Sequence, residues 1–113
     1  MKRDDTAYLR HILDAIELID KYVAGVTGKG FSENSLVRDA VIRQLEIIGE
    51  ATKRVSPSTR ALDSSVPWQE IAGMRDKLIH DYMGVDPDTV WLTIQSSLPP
   101  FKAQIRNILD RLT

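Results

Sequence analysis

The sequence contains no cysteine, which excludes a disulfide framework, thiolate metal sites and cysteine nucleophiles. That absence also fits a reducing compartment. Histidine is scarce too, with His11 and His80 the two copies in the chain. No Gly-rich phosphate loop, His-Glu-x-x-His zinc helix or Gly-x-Ser-x-Gly elbow occurs. Gly25, Gly28 and Gly30 cluster, but no strand precedes them, so they read as a flexible loop. Neither a metal nor a cofactor is expected. No stretch approaches the roughly 18 unbroken apolar residues of a membrane span. The start, Met1-Lys2-Arg3-Asp4-Asp5, lacks the apolar run of a signal peptide, so a cytoplasmic protein without membrane attachment is expected. Positive and negative side chains nearly balance at a net charge of −1, which argues against a strongly basic nucleic-acid coat. A local basic cleft remains compatible with that balance.

What is present is helical periodicity. The 113 residues suit one domain, residues 1–113, able to bury roughly two-thirds of the surface its unfolded chain exposes. Leu9, Ile12, Ile16, Ile19 and Val23 are spaced 3, 4, 3, 4, which predicts a helix from about Asp5 to Ala24. Asp4, Asp5 or Thr6 can cap its start, and Gly25 can supply a left-handed stop. Phe31 reads as the lead-in to a second helix, with Ser32 as its cap and a span of about Glu33 to Val55. Its broad face holds Val37, Ala40, Val41, Leu45, Ile48, Ala51 and Val55, and Gly49 would allow a neighbour to come close. Pro57 closes it, and Ser56 to Val66 reads as the longest exposed connection.

A third helix opens at Pro67, carries Trp68, Ile71, Met74, Leu78 and Ile79, and is expected to stop at Gly84. Asp86-Pro87-Asp88 is a helix-start signal, followed by a stripe of Val90, Trp91, Ile94 and Leu98. Pro99-Pro100 should break or sharply bend the chain before a fifth stripe of Phe101, Ile105, Ile108 and Leu112. No alternating strand pattern appears. The expected class is all-α, an antiparallel up-and-down bundle of four to five helices.

Chemistry concentrates in one segment, Gly73 to Tyr82. His80 can exchange protons near neutral pH. Arg75 carries a permanent charge able to bind a phosphate and offset charge in a transition state. Asp76 lies one helical turn before His80 and can orient the imidazole. The pair is chemically sufficient to cut RNA without a metal, with Arg75 on the scissile phosphate and His80 moving the proton. The plainer reading is an exposed helix end with ordinary salt bridges. Five residues at about 100° each put Arg75 and His80 about 140° apart on a regular helix. Either the helix tightens at its end, or two copies face each other and build one shared cleft. His11, between Arg10 and Ile12, reads as a partly exposed helix-surface histidine.

Arg75-x-x-x-x-His80-x-Tyr82 with Asp76 after the arginine resembles the signature of HEPN domains, in the form carried by HepT toxins of MNT–HEPN toxin–antitoxin pairs. The likeness extends to Tyr8-Leu9-Arg10-His11-Ile12, Asp39-Ala40-Val41-Ile42-Arg43, Ile47-Ile48-Gly49-Glu50-Ala51, Pro67 to Arg75, Val90-Trp91 and Leu98-Pro99. It implies a HEPN-like bundle acting as a homodimer and a metal-independent endoribonuclease with Arg75 and His80 as the catalytic pair. Asp76, in a support role, stands where the family most often has Asn and adds a negative charge. The partner implied is an MNT-type nucleotidyltransferase antitoxin that adenylylates Tyr82, a type VII-like arrangement. A phosphate-bearing nucleotide on Tyr82 would block RNA by bulk and like-charge repulsion. Lys53, Arg54, Arg75 and Lys77 are the candidate sources of positive charge in the cleft. The alternative is a non-catalytic accessory subunit that holds a nucleotide or presents Tyr82 to the nucleotidyltransferase.

Overall fold

The computed structural model describes residues 5–80 and 85–113, with backbone alone at Ile79 and His80. All regular structure among these residues is helical: α1 Asp5–Val23, α2 Gly28–Glu33, α3 Ser35–Arg54, α4 Pro57–Arg60, α5 Trp68–His80, α6 Pro87–Leu92, a π-turn Thr93–Ser97 and α7 Leu98–Leu112. The all-α bundle predicted from periodicity is therefore found. Four long arms carry it: α1, α3, α5 and the continuous stretch from α6 to α7.

The stripes read from the sequence form the core. Leu9, Ile12, Ile16 and Ile19 of α1 meet Val41, Leu45 and Ile48 of α3 and Phe101, Ile105 and Ile108 of α7, all essentially without solvent contact. Burying each such side chain is worth about 1.5–3 kcal/mol. Leu112, expected in the fifth stripe, is instead exposed at the end of α7. Lys102 pairs with Asp20 and Arg106 with Glu17, so α7 runs antiparallel to α1. The N-terminus of α1 meets the end of α3 through Asp5 and Ser56, so these two are antiparallel as well.

Several local expectations are corrected. The glycine-rich loop holds a helical turn, α2, capped by Thr27, whose Oγ1 accepts from Gly30 N at 3.0 Å. The turn exists because it sends Phe31 inward: that ring is fully buried and lies 5.1 Å from the Trp91 ring. The cap of α3 is consequently Asn34, not Ser32, with Oδ1 accepting from Val37 N at 3.1 Å. Gly25 does adopt the left-handed conformation, at φ 74°, that ends the connection from α1.

The stretch from Ser56 to Val66 is not a plain exposed connection. It contains α4, and Thr59 and Val66 are buried. Asp5 explains this. Its carboxylate is buried and accepts from Ser56 N at 3.3 Å, from the Ser56 hydroxyl and from Thr59 Oγ1 at 2.5 Å. Arg60 then reaches back, donating to Thr52 O at 2.9 Å and closing the end of α3.

Pro99 and Pro100 do not break the helix. The π-turn precedes them, and Leu98 N–H reaches back to Thr93 O, five residues away. The two prolines then fall in the first turn of α7, where a missing N–H is tolerated. Among the described residues no helix is long and apolar enough to cross a membrane. The expected stop at Gly84 lies outside the described residues.

Replacing Asp5 with Ala should lower stability by about 2–3 kcal/mol, because buried hydroxyl and amide donors lose a charged acceptor. Urea unfolding checks this, and Ser56→Ala alone should cost less.

Candidate functional site

α5 is a regular α-helix from Trp68 to His80. Its position on α3 is set by Gly49. A methyl group built there would lie 2.9 Å from Arg75 N, 3.2 Å from Arg75 Cβ and 3.2 Å from Ile71 O. Only hydrogen lets the two backbones approach so closely. The neighbour that Gly49 was expected to admit is thus α5, and the contact falls on Arg75 itself.

Glu50, the next residue, grips the guanidinium. Its Oε2 lies 3.5 Å from Arg75 Nε, while its Oε1 accepts from Arg54 Nη2 at 3.1 Å. Arg75 Nη1 also donates to Asp76 Oδ1 at 3.4 Å, and Lys53 Nζ sits 3.5 Å from Asp76 Oδ2. Arg75 therefore stands between two carboxylates, with Asp76 partly offset by Lys53. These pairs are partly exposed, so they fix geometry more than they add stability.

Glu50, Arg54 and Arg75 line a surface cleft of about 480 Å³ between α1, α3 and α5. Tyr8 and His11 come from α1, Arg43, Glu46, Ile47, Glu50, Ala51 and Arg54 from α3, and Arg75 from α5. Arg43, Ile47, Glu50 and Arg54 are spaced 4, 3, 4 and so share one face of α3. Among the described residues no three His, Asp or Glu side chains come together as a metal-binding group.

Of the residues singled out from sequence, Arg75 and Asp76 are described and adjacent. Asp76 contacts Arg75 and Lys53. The imidazole of His80 lies outside the described side chains, and Tyr82 outside the described residues. Among the cations expected to supply the cleft, Arg54 and Arg75 line it. Lys53 does not line it and pairs with Asp76 instead, and Lys77 faces different cavities, beside Met74 and Thr93. Sequence reasoning missed the meeting of Tyr8, His11 and Arg43 with Arg75. His11 is exposed on a helix, as expected, yet it lies at the edge of this cleft.

A family profile described as ribonuclease HepT-like matches residues 12–108, which includes α3, α5 and the Arg75 segment. The chain belongs to the HepT-like ribonuclease family. It is 43% identical over 104 residues to a protein of Caldanaerobacter subterraneus subsp. tengcongensis provisionally named an RNase, covering 92% of this chain and 93% of that one. It is 41% identical over 108 residues to a Thermococcus cleftensis protein provisionally named ribonuclease HepT, covering 96% and 98%. A Methanocaldococcus jannaschii protein is named as a gamma-glutamylcyclotransferase and, provisionally, an RNase. It is 41% identical over 112 residues, which span 99% of this chain and 50% of that longer protein. No solved structure matches the chain. As a HepT-like ribonuclease it takes RNA as its substrate class.

Gly49→Ala should push α5 away from α3 and cost about 1–2 kcal/mol, the strain exceeding the roughly 1 kcal/mol of helix propensity gained. Gly73→Ala is the opposite case: a methyl there meets nothing within 4 Å, so it should stabilise by about 0.5–1 kcal/mol. Urea midpoints of the two variants test the contrast.

Proposed function

We propose that this chain is the toxin of a type VII-like toxin–antitoxin pair, a metal-independent endoribonuclease that is silenced when a nucleotidyltransferase adenylylates Tyr82. The observation that carries the reading is the Arg75 guanidinium, held by Glu50 and Asp76 at the lip of a cationic cleft. Arg75 grips the scissile phosphate and offsets the charge that builds on it. The ribose 2′-oxygen forms a bond to phosphorus and the bond from phosphorus to the 5′-oxygen breaks. The 2′-hydroxyl loses a proton and the 5′-oxygen gains one, and His80 is the group that moves it. The products are a 2′,3′-cyclic phosphate and a 5′-hydroxyl, with no further reactant consumed.

The regular helix through His80 favours a site shared by two copies. Without local tightening, helix positions 75 and 80 stay about 140° apart, so one copy's Arg75 works with the other copy's His80. A homodimer satisfies this with two equivalent clefts. Silencing follows from transfer of an adenylyl group. The Tyr82 oxygen bonds to the α-phosphorus of ATP, pyrophosphate leaves, and the phenolic proton is released. The added phosphate then competes with RNA for Arg75.

The chain, expressed without a partner and verified by mass as unmodified, should cut RNA in EDTA and leave 2′,3′-cyclic ends. Arg75→Ala and His80→Ala should each lower the rate by at least about 100-fold. Mixing and refolding the two dead variants should restore about a quarter of wild-type activity, because half the dimers then hold one intact composite site. Intact RNA with unmodified wild-type protein would sink the ribonuclease reading and leave an accessory subunit. No recovery on mixing would sink the shared site.

A further inference from the structure

The cleft extends well beyond Arg75, and a scissile phosphate alone leaves most of it unused. Arg43 and Arg54 are eleven positions apart on one face of α3, about 16.5 Å at 1.5 Å per residue. Ile47 and Glu50 lie between them, and the small, buried Ala51 forms part of the wall. Opposite this ridge, Tyr8 and His11 stand edge to face with ring centroids 6.5 Å apart.

The charges are arranged unevenly. Three guanidiniums line the cleft against the carboxylates of Glu46 and Glu50, in a chain whose overall charge is −1. Both Glu50 oxygens are committed, one to Arg54 and one to Arg75, so that carboxylate orients two cations at once. Each guanidinium has five N–H donors, and most of them remain available to a ligand. Arg43 has no carboxylate within ion-pair distance among the described residues. A row of cations beside an exposed imidazole and a phenol is the chemistry that receives a single-stranded nucleic acid, with phosphates on the arginines and a base stacked on a ring.

We infer that this groove is the RNA-docking surface of the chain: Arg54 and Arg43 take phosphates flanking the one at Arg75, and His11 with Tyr8 stacks a base. The inference rests on the reading that Arg75 meets the scissile phosphate, and it names residues that select single-stranded RNA of more than one nucleotide step. Arg43 and His11 are substrate-binding residues with no part in bond breaking.

The test uses the full-length His80→Ala chain, which binds without cutting, and a fluorescein-labelled single-stranded 12-mer RNA followed by anisotropy. Adding Arg43→Gln should weaken binding about tenfold and lower the slope of log affinity against log salt by about one. Adding His11→Ala should weaken it about fivefold or more through lost stacking. Arg106→Gln, on α7 and paired with Glu17, should leave affinity unchanged. With His80 restored, Arg43→Gln should raise KM for the 12-mer with kcat nearly unchanged, and cleavage of a dinucleotide should not respond. Arg43-dependent binding by a chain that cuts nothing would support docking while the ribonuclease reading fails. Binding that ignores both Arg43 and His11 would overturn the inference even if cleavage is robust. A change of oligomeric mass in these variants, with RNA affinity intact, would overturn it too and make the groove a contact between two copies.

Discussion

The close contact between α3 and α5 at Gly49 is the constraint on which the candidate site depends. A residue without a side chain lets Arg75's backbone rest against α3, and that proximity brings the guanidinium within reach of Glu50, the neighbour of Gly49. Any bulkier residue would move α5 as a body, because the atoms in the way belong to backbone and to a Cβ. Packing and chemistry are thus joined at adjacent residues of one helix. The contact belongs to the core, and the Arg75 guanidinium sits beside it.

Electrostatics complement this frame. The chain as a whole is nearly neutral, yet its charges are sorted by helix face. Glu17 and Asp20 meet Arg106 and Lys102 where α1 packs on α7, whereas the outer face of α3 collects Arg43 and Arg54 beside Arg75. Net charge is therefore a poor guide to this protein's affinity for an anion. Local pairing decides it, since a cation whose counter-ion is shared or absent attracts a phosphate more strongly than one already matched.

The fold was legible wherever local rules were strong. Stripes spaced 3 and 4 marked α1, α3 and α7, Asp86 capped α6 as expected, and Gly25 supplied the left-handed turn. The failures have a common cause. Ser32 lost the cap to Asn34 because Phe31 is fully buried, and that required an extra helical turn among the glycines. The connection after α3 became ordered because Asp5, about fifty residues away in sequence, supplied a carboxylate to Ser56 and Thr59. The two prolines were absorbed by a π-turn ahead of them. Each time, a distant contact or a compensating turn overrode a local signal.

The amino-acid sequence by itself determined the long helices, their buried faces and the family motif around Arg75, because these depend on spacing along the chain. The tertiary structure alone decided that Tyr8 and His11 share a cleft with Arg43, Arg54 and Arg75, and that Glu50 orients two of those arginines. Periodicity shows which face of a helix is polar. The rotation and offset of one helix against the next are set by how core side chains interlock, and those decide which polar faces come to confront each other.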